Sequence, residues 1–182
     1  MRHINIIRSI ILIVSIFLIT SCSNNSAMKP EDFKNKEPRL IIEEYLSGNV
    51  KAWGVLQNRS GKVTRQFSAD LDGTWDGKQL ILKEKFNWDD GEVQNREWTI
   101  NKIDENNYEG TAGDVVGKAK GYSYGPAFKF EYVLLVPVKG KNIKITFDDW
   151  IFMQDERVAI NRATMTKFGI KVAELTVMFV KD

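Results

Sequence analysis

The sequence predicts an all-β protein, an antiparallel meander closed or nearly closed into a barrel. Three observations carry that expectation. The hydrophobic pattern holds a period of two from Asn49 to Val180, turn-forming residues recur at short and even spacing, and only one brief stretch has a helical period. About eight to ten strands joined by hairpins favour a barrel over a sandwich, and roughly eight strands is the size at which one small ligand fits inside.

The elements follow in order. Residues 23–39 are polar, contain Pro30 and Pro38, and show no sustained apolar period, which reads as a solvated tether. Leu40, Ile41, Tyr45 and Leu46, with Gly48 as a stop, read as one short two-turn helix placed to close an end of the barrel. Val63, Arg65, Phe67, Ala69 and Leu71 then alternate with Thr64, Gln66, Ser68 and Asp70, a strand with one wet face, and Gly73 marks the turn after it. Leu80, Leu82, Glu84, Phe86 and Trp88 form the next face, and Asp90-Gly91 is the strongest hairpin signal in the chain. Arg96, Trp98 and Ile100 follow, with a turn at Glu105-Asn106-Asn107. Phe128, Phe130, Tyr132, Leu134 and Val136 make another face, and Ile143, Ile145 and Phe147 another. Residues 158–168 and 170–180, either side of Gly169, supply the last two strands.

The N-terminal segment has the three parts of an export signal: charges at Arg2 and Arg8, an apolar run over residues 10–19, and small residues before a cut. That run is half the roughly 20 residues a membrane-spanning helix needs. Ile19-Thr20-Ser21-Cys22 is a lipobox, so the chain is expected to be cut before Cys22 and to carry diacylglycerol and acyl (palmitate-type) chains on that cysteine. Each buried methylene contributes about 0.8 kcal/mol, and several acyl chains together hold a protein stably on a membrane. Ser23 after the cysteine, where Asp would favour inner-membrane retention in an enterobacterial-type system, points to the outer membrane facing the periplasm. The expected organisation is therefore a signal peptide (1–21), a lipidated cysteine with its tether (22–39), and one barrel domain (40–182).

Composition narrows the chemistry. The single histidine is His3 and the single cysteine is Cys22, so the processed domain would have neither imidazole nor free thiol. Sites for zinc or copper built on those ligands, Ser-His-Asp and Cys-His nucleophiles, and disulfides are excluded with them, and no cofactor is called for. The 26 basic residues face 24 acidic ones, and removing Arg2 and Arg8 leaves a net charge near zero, with nothing to attract nucleic acid. The glycine-rich run 110–121 does not lead from a strand into a helix, so it reads as turns rather than a phosphate loop. Asp148, Asp149, Asp155 and Glu156 lack the ligand spacing of a calcium loop.

Lys51-Ala52-Trp53-Gly54, residues 108–117 (YEGTAGDVVG), Phe147-Asp148-Asp149-Trp150 and Asn161-Arg162 resemble a family of proteobacterial lipoproteins classed as a domain of unknown function, DUF3833. The likeness covers most of the chain after the tether. It implies an exported, lipid-anchored domain of calycin or lipocalin type, and it implies no activity and no site residue.

Candidate site residues come instead from charges in phase with apolar faces. Arg65, Glu84, Arg96, Asp149 and Arg162 are each placed on the inward face by the alternation. Burying an unpaired ion costs several kcal/mol, so these groups must pair with one another, meet water, or meet a ligand. Trp53, Trp88 and Trp98 would line the apolar walls of such a pocket. Three function classes follow. The first is an anchored module binding a small hydrophobic or amphipathic molecule; the second is a structural or assembly lipoprotein with a filled interior; the third is a carboxylate-dependent hydrolase using acids such as Glu84 and Asp149 in an open groove. The membrane is the expected partner of the anchor, and no protein partner is legible.

Overall fold

The structure, a computed structural model, describes residues 27–138 and 140–182. Cys22 and the export segment lie outside the described residues. A 3-10 turn (Pro30–Phe33) and one α-helical turn, α1 (Ile42–Tyr45), precede ten strands: β1 (Gly48–Asn58), β2 (Val63–Trp75), β3 (Gln79–Trp88), β4 (Val93–Lys102), β5 (Asn107–Ala112), β6 (Ala119–Tyr124), β7 (Ala127–Val138), β8 (Lys141–Met153), β9 (Val158–Lys167) and β10 (Ile170–Lys181). Each strand pairs antiparallel with the next, and β1 pairs with β10, so the sheet closes on itself and has no free edge. The expected barrel is the observed one.

In such a meander successive connections fall at opposite ends. The β2–β3, β4–β5, β6–β7 and β8–β9 connections share one end with α1; the β1–β2, β3–β4, β5–β6, β7–β8 and β9–β10 connections form the other. Helix α1 is one turn rather than two, because Leu40 is still held extended by its N–H donating to the Gly125 carbonyl (2.8 Å) and β1 begins at Gly48. The turn nevertheless does the work expected of it. Leu40 and Ile42 are fully buried, Tyr45 and Leu46 nearly so, and they pack with Leu80, Ile100, Tyr108 and Phe128 as the plug of that end. Lys181 of the last strand donates to the carbonyls of Glu44, Tyr45 and Ser47 (3.0, 2.8 and 2.6 Å), satisfying the acceptors a helix C-terminus leaves free. Gly73 makes the seating possible: a Cβ there would lie 1.8 Å from the Leu46 carbonyl oxygen.

Part of the stretch expected as a solvated tether is instead folded onto the wall. Pro30–Phe33 form a 3-10 turn, and the Phe33 ring lies against Trp150 and Phe152, with centroids 6.0 and 5.5 Å away. A lone aromatic in a polar segment breaks no periodicity rule, and its partners are outward residues of β8, which explains why the sequence pattern did not reveal the contact.

Candidate ligand-binding cavity

Inward side chains do not fill the barrel. Between the α1 plug and the opposite end lies a cavity of about 450 Å³. Its walls are mostly apolar: Leu82, Phe86, Trp98, Phe130, Leu175 and Val177 are among them, with Ile42 and Leu46 as floor. Aromatic rings brace it from two sides. Trp98 sits 5.1 Å from Phe130 and 5.3 Å from Tyr132, and Tyr132 stacks on Phe147 at 4.9 Å. Nearer the open end, Phe67 contacts Phe86 (5.2 Å) and Trp88 (4.9 Å) and lies over Gly54, where a Cβ would meet the ring at 2.3 Å.

Polar groups interrupt this lining at mid-height. Glu84 and Arg96 are cross-strand partners on β3 and β4, both inward, but their closest charged atoms are 4.0 Å apart. Arg96 gives its better hydrogen bonds to Asp114, from Nη2 at 2.7 Å and Nε at 3.1 Å. Asp149 of β8 accepts from the Tyr132 hydroxyl at 2.9 Å and from the Asn161 side-chain amide, which also donates to the Trp150 carbonyl at 3.1 Å. Glu84 Oε2 and Asp114 Oδ1 are buried without a hydrogen-bond donor. The consequence is electrostatic. Burial pushes Glu84 up to about 7, with Asp149 and Asp114 adding to the effect and Arg96 opposing it. Burial likewise raises Asp149 to about 6 against the hydrogen bonds from Asn161 and Tyr132. The Tyr132 hydroxyl, buried beside Asp149, is held well above its ordinary value.

Of the sequence-predicted residues, Arg65, Glu84, Arg96, Asp149, Trp88 and Trp98 all line the cavity. They do not form one cluster. Arg65 stands apart toward the open end, bonded to Asp90 and Glu92 at 2.8 Å each, with its guanidinium 4.0 Å from the centre of the Trp88 ring. Two expectations are corrected. Trp53 points outward and is 45% exposed, because the inward positions of β1 are Val50, Ala52 and Gly54. Arg162 also points outward, toward Glu174 at 3.1 Å. On β9 the inward residues are Ala159, Asn161 and Ala163, so the apolar Val158 and Ile160 mark the wrong face. Trp53, Met178 and Ile160 are register partners across β1, β10 and β9 and form an exposed apolar stripe on the outer wall.

Sequence reasoning missed Asp114, Tyr132 and Asn161 as site members. Asp114 lies in the glycine-rich connection, where a carboxylate looks like turn chemistry; the bridge from Val115 to Leu134 of β7 brings that connection against the barrel wall. Tyr132 was legible only as an apolar face residue. Asn161 had one signal, its place on one strand face between Ala159 and Ala163.

A ten-stranded meander, plugged at one end by a helical turn and hollow toward the other, defines a lipocalin-like barrel protein. The chain belongs to the family described as "Protein of unknown function (DUF3833)", whose model matches residues 16–181. Among solved structures it is similar to the S-type phycobiliprotein lyase of Guillardia theta, at 11% identity and a TM-score of 0.57 over 77% of this chain and 90% of that one. It is also similar to a protein of unknown function from Nostoc punctiforme, of the DUF3598 family, at 15% identity and a TM-score of 0.60 over 81% of this chain and 51% of that longer one. At these identities the likeness is one of fold. No curated protein matches the sequence.

Proposed function

We propose that this chain is a lipid-anchored cell-envelope protein whose barrel holds one small hydrophobic or amphipathic molecule. The cavity of about 450 Å³ carries the reading. It falls within the roughly 300–1,000 Å³ range of small-molecule sites and has their composition, apolar walls with a few convergent polar groups. A structural role alone would favour a filled interior, and a glycosidase would need a groove that admits a polymer. The anchor rests on the lipobox ending at Cys22.

The test of the binding reading is a titration of the purified full-length chain with a neutral apolar dye, followed by energy transfer from tryptophan. One saturable site is expected, lost when Ala52, an inward cavity-wall residue, is changed to Trp. A linear, unsaturable signal, equal in wild type and A52W, overturns it. For the anchor, labelled palmitate should enter the wild type and not Cys22→Ala; no label in the wild type would end the lipoprotein reading.

A further inference from the structure

The polar cluster at mid-height has more acceptors than donors, and this asymmetry specifies a head group. We propose, building on the binding reading above, that the ligand is an organic cation: an apolar body bearing a protonated amine that lodges between Glu84 and Asp114. Three observations support it. First, the deep cluster sets three carboxylates, Glu84, Asp114 and Asp149, around one guanidinium, Arg96. Arg96 commits two of its nitrogens to a single Asp114 oxygen and stays 4.0 Å from Glu84. Second, the two fully buried atoms of this cluster without a hydrogen bond, Glu84 Oε2 and Asp114 Oδ1, are both acceptors. A third unpartnered atom, Arg65 Nε, belongs to the separate group at the open end, where the guanidinium already lies over Trp88 and bonds Asp90 and Glu92. Third, the walls beside the cluster are aromatic, with Phe86 and Trp98 among them, and ring faces attract cations. An ammonium carries donors for both orphan oxygens and opposes their charge; a carboxylate or phosphate head would set its own charge beside those two acceptors, with only Arg96 Nη1, itself 4.0 Å from Glu84 Oε2, left to receive it.

The cation competes with protons. Glu84 faces Arg96 from β4, Asp114 from the β5–β6 connection, Tyr132 from β7, and Asp149 with its partner Asn161 from β8 and β9. With its value near 7, Glu84 is partly protonated in the empty cavity at neutral pH, and a bound ammonium would displace that proton; Asp149, near 6, adds to the effect only below neutral pH. Binding should therefore release protons and strengthen as pH rises.

Octylammonium, octanol and octanoate separate the cases, since they share a chain and differ in head group. Each is titrated into the purified full-length chain by tryptophan fluorescence at pH 8 and pH 5.5. The expected order at pH 8 puts octylammonium ahead of octanoate by at least about tenfold, the worth of one charged hydrogen bond, with the gap closing at pH 5.5. Glu84→Gln and Asp114→Asn should each lower the ratio of octylammonium to octanol affinity by about tenfold, with near-ultraviolet dichroism confirming the fold. Octanoate binding tightest at pH 8, or an amine affinity indifferent to both pH and Glu84→Gln, overturns the cationic head group while leaving the binding reading intact. Failure of all three probes to bind overturns both.

Discussion

Two buried glutamates in this barrel have opposite surroundings. Glu43, in the α1 plug, has its carboxylate bonded by Lys102 and, at 2.8 Å, by the Tyr108 hydroxyl. Burial disfavours its charge, yet those hydrogen bonds outweigh the burial and hold it below the ordinary carboxylate value. Glu84, halfway along the cavity, is almost as well hidden, but its Oε2 has no donor and burial raises it to about 7. Side-chain exposure barely separates them, at 5% and 12%. The difference lies in partners and in depth, since Glu84 is enclosed by protein on all sides at mid-barrel and Glu43 sits in the end plug. At the closed end the Glu43 carboxylate is matched within the chain, which is what a structural plug requires. In the cavity the chain leaves acceptors open, and unsatisfied buried groups mark the place where an outside molecule completes the network.

The comparison breaks first, and hardest, at the plug. Lys102→Met leaves the Glu43 carboxylate buried without its cation, and denaturant unfolding should show a loss on the order of 3–5 kcal/mol. A loss under about 1 kcal/mol would mean that Glu43 reaches water and the plug is loose.

The second prediction concerns pH. Glu84 has a folded value near 7 against an ordinary 4.5, so between those values the folded state holds a proton that the unfolded state has lost. Its contribution to stability is therefore fully present below about 4.5 and is lost as pH rises to about 7, on the order of 3 kcal/mol in all. Asp149 acts in the same direction up to about 6. Glu43, with its value lowered, contributes in the opposite sense: its share is present above 4.5 and lost as acid is added below its folded value. Unfolding free energy of ligand-free protein measured from pH 4.5 to 8 should fall, and Glu84→Gln should flatten that slope. An unchanged slope in the variant would show that Glu84 is not the group responsible.

The smallest effect is expected at the open end. Arg65→Met breaks pairs to Asp90 and Glu92, whose side chains are half exposed, and a stacking contact with Trp88, so the loss should be about 1 kcal/mol by the same unfolding measurement. A loss as large as that for Lys102→Met would put Arg65 in a dry network.

These contrasts were only partly legible in the sequence. The barrel was, because alternation in β2, β3, β4, β7 and β8 places large apolar residues on one face, and a period of two tolerates no other reading. The inward direction of Arg65, Glu84, Arg96 and Asp149 followed from that same phase. Arg162 and Trp53 did not, because the inner faces of β9 and β1 are built from Ala159, Ala163, Ala52 and Gly54, and where small residues face in, the hydrophobic signal of the outer face dominates. Asp114 was hidden for a different reason: its position depends on how the β5–β6 connection lies against β7, a long-range contact with no local signature.

Native mass spectrometry of the full-length protein, purified from its own membrane and released gently, tests the central claim most directly. The account predicts a second species heavier than the polypeptide by one bound small molecule, at one copy per chain, that disappears in Ala52→Trp. A single polypeptide mass in both proteins, with no extractable small molecule, would contradict it.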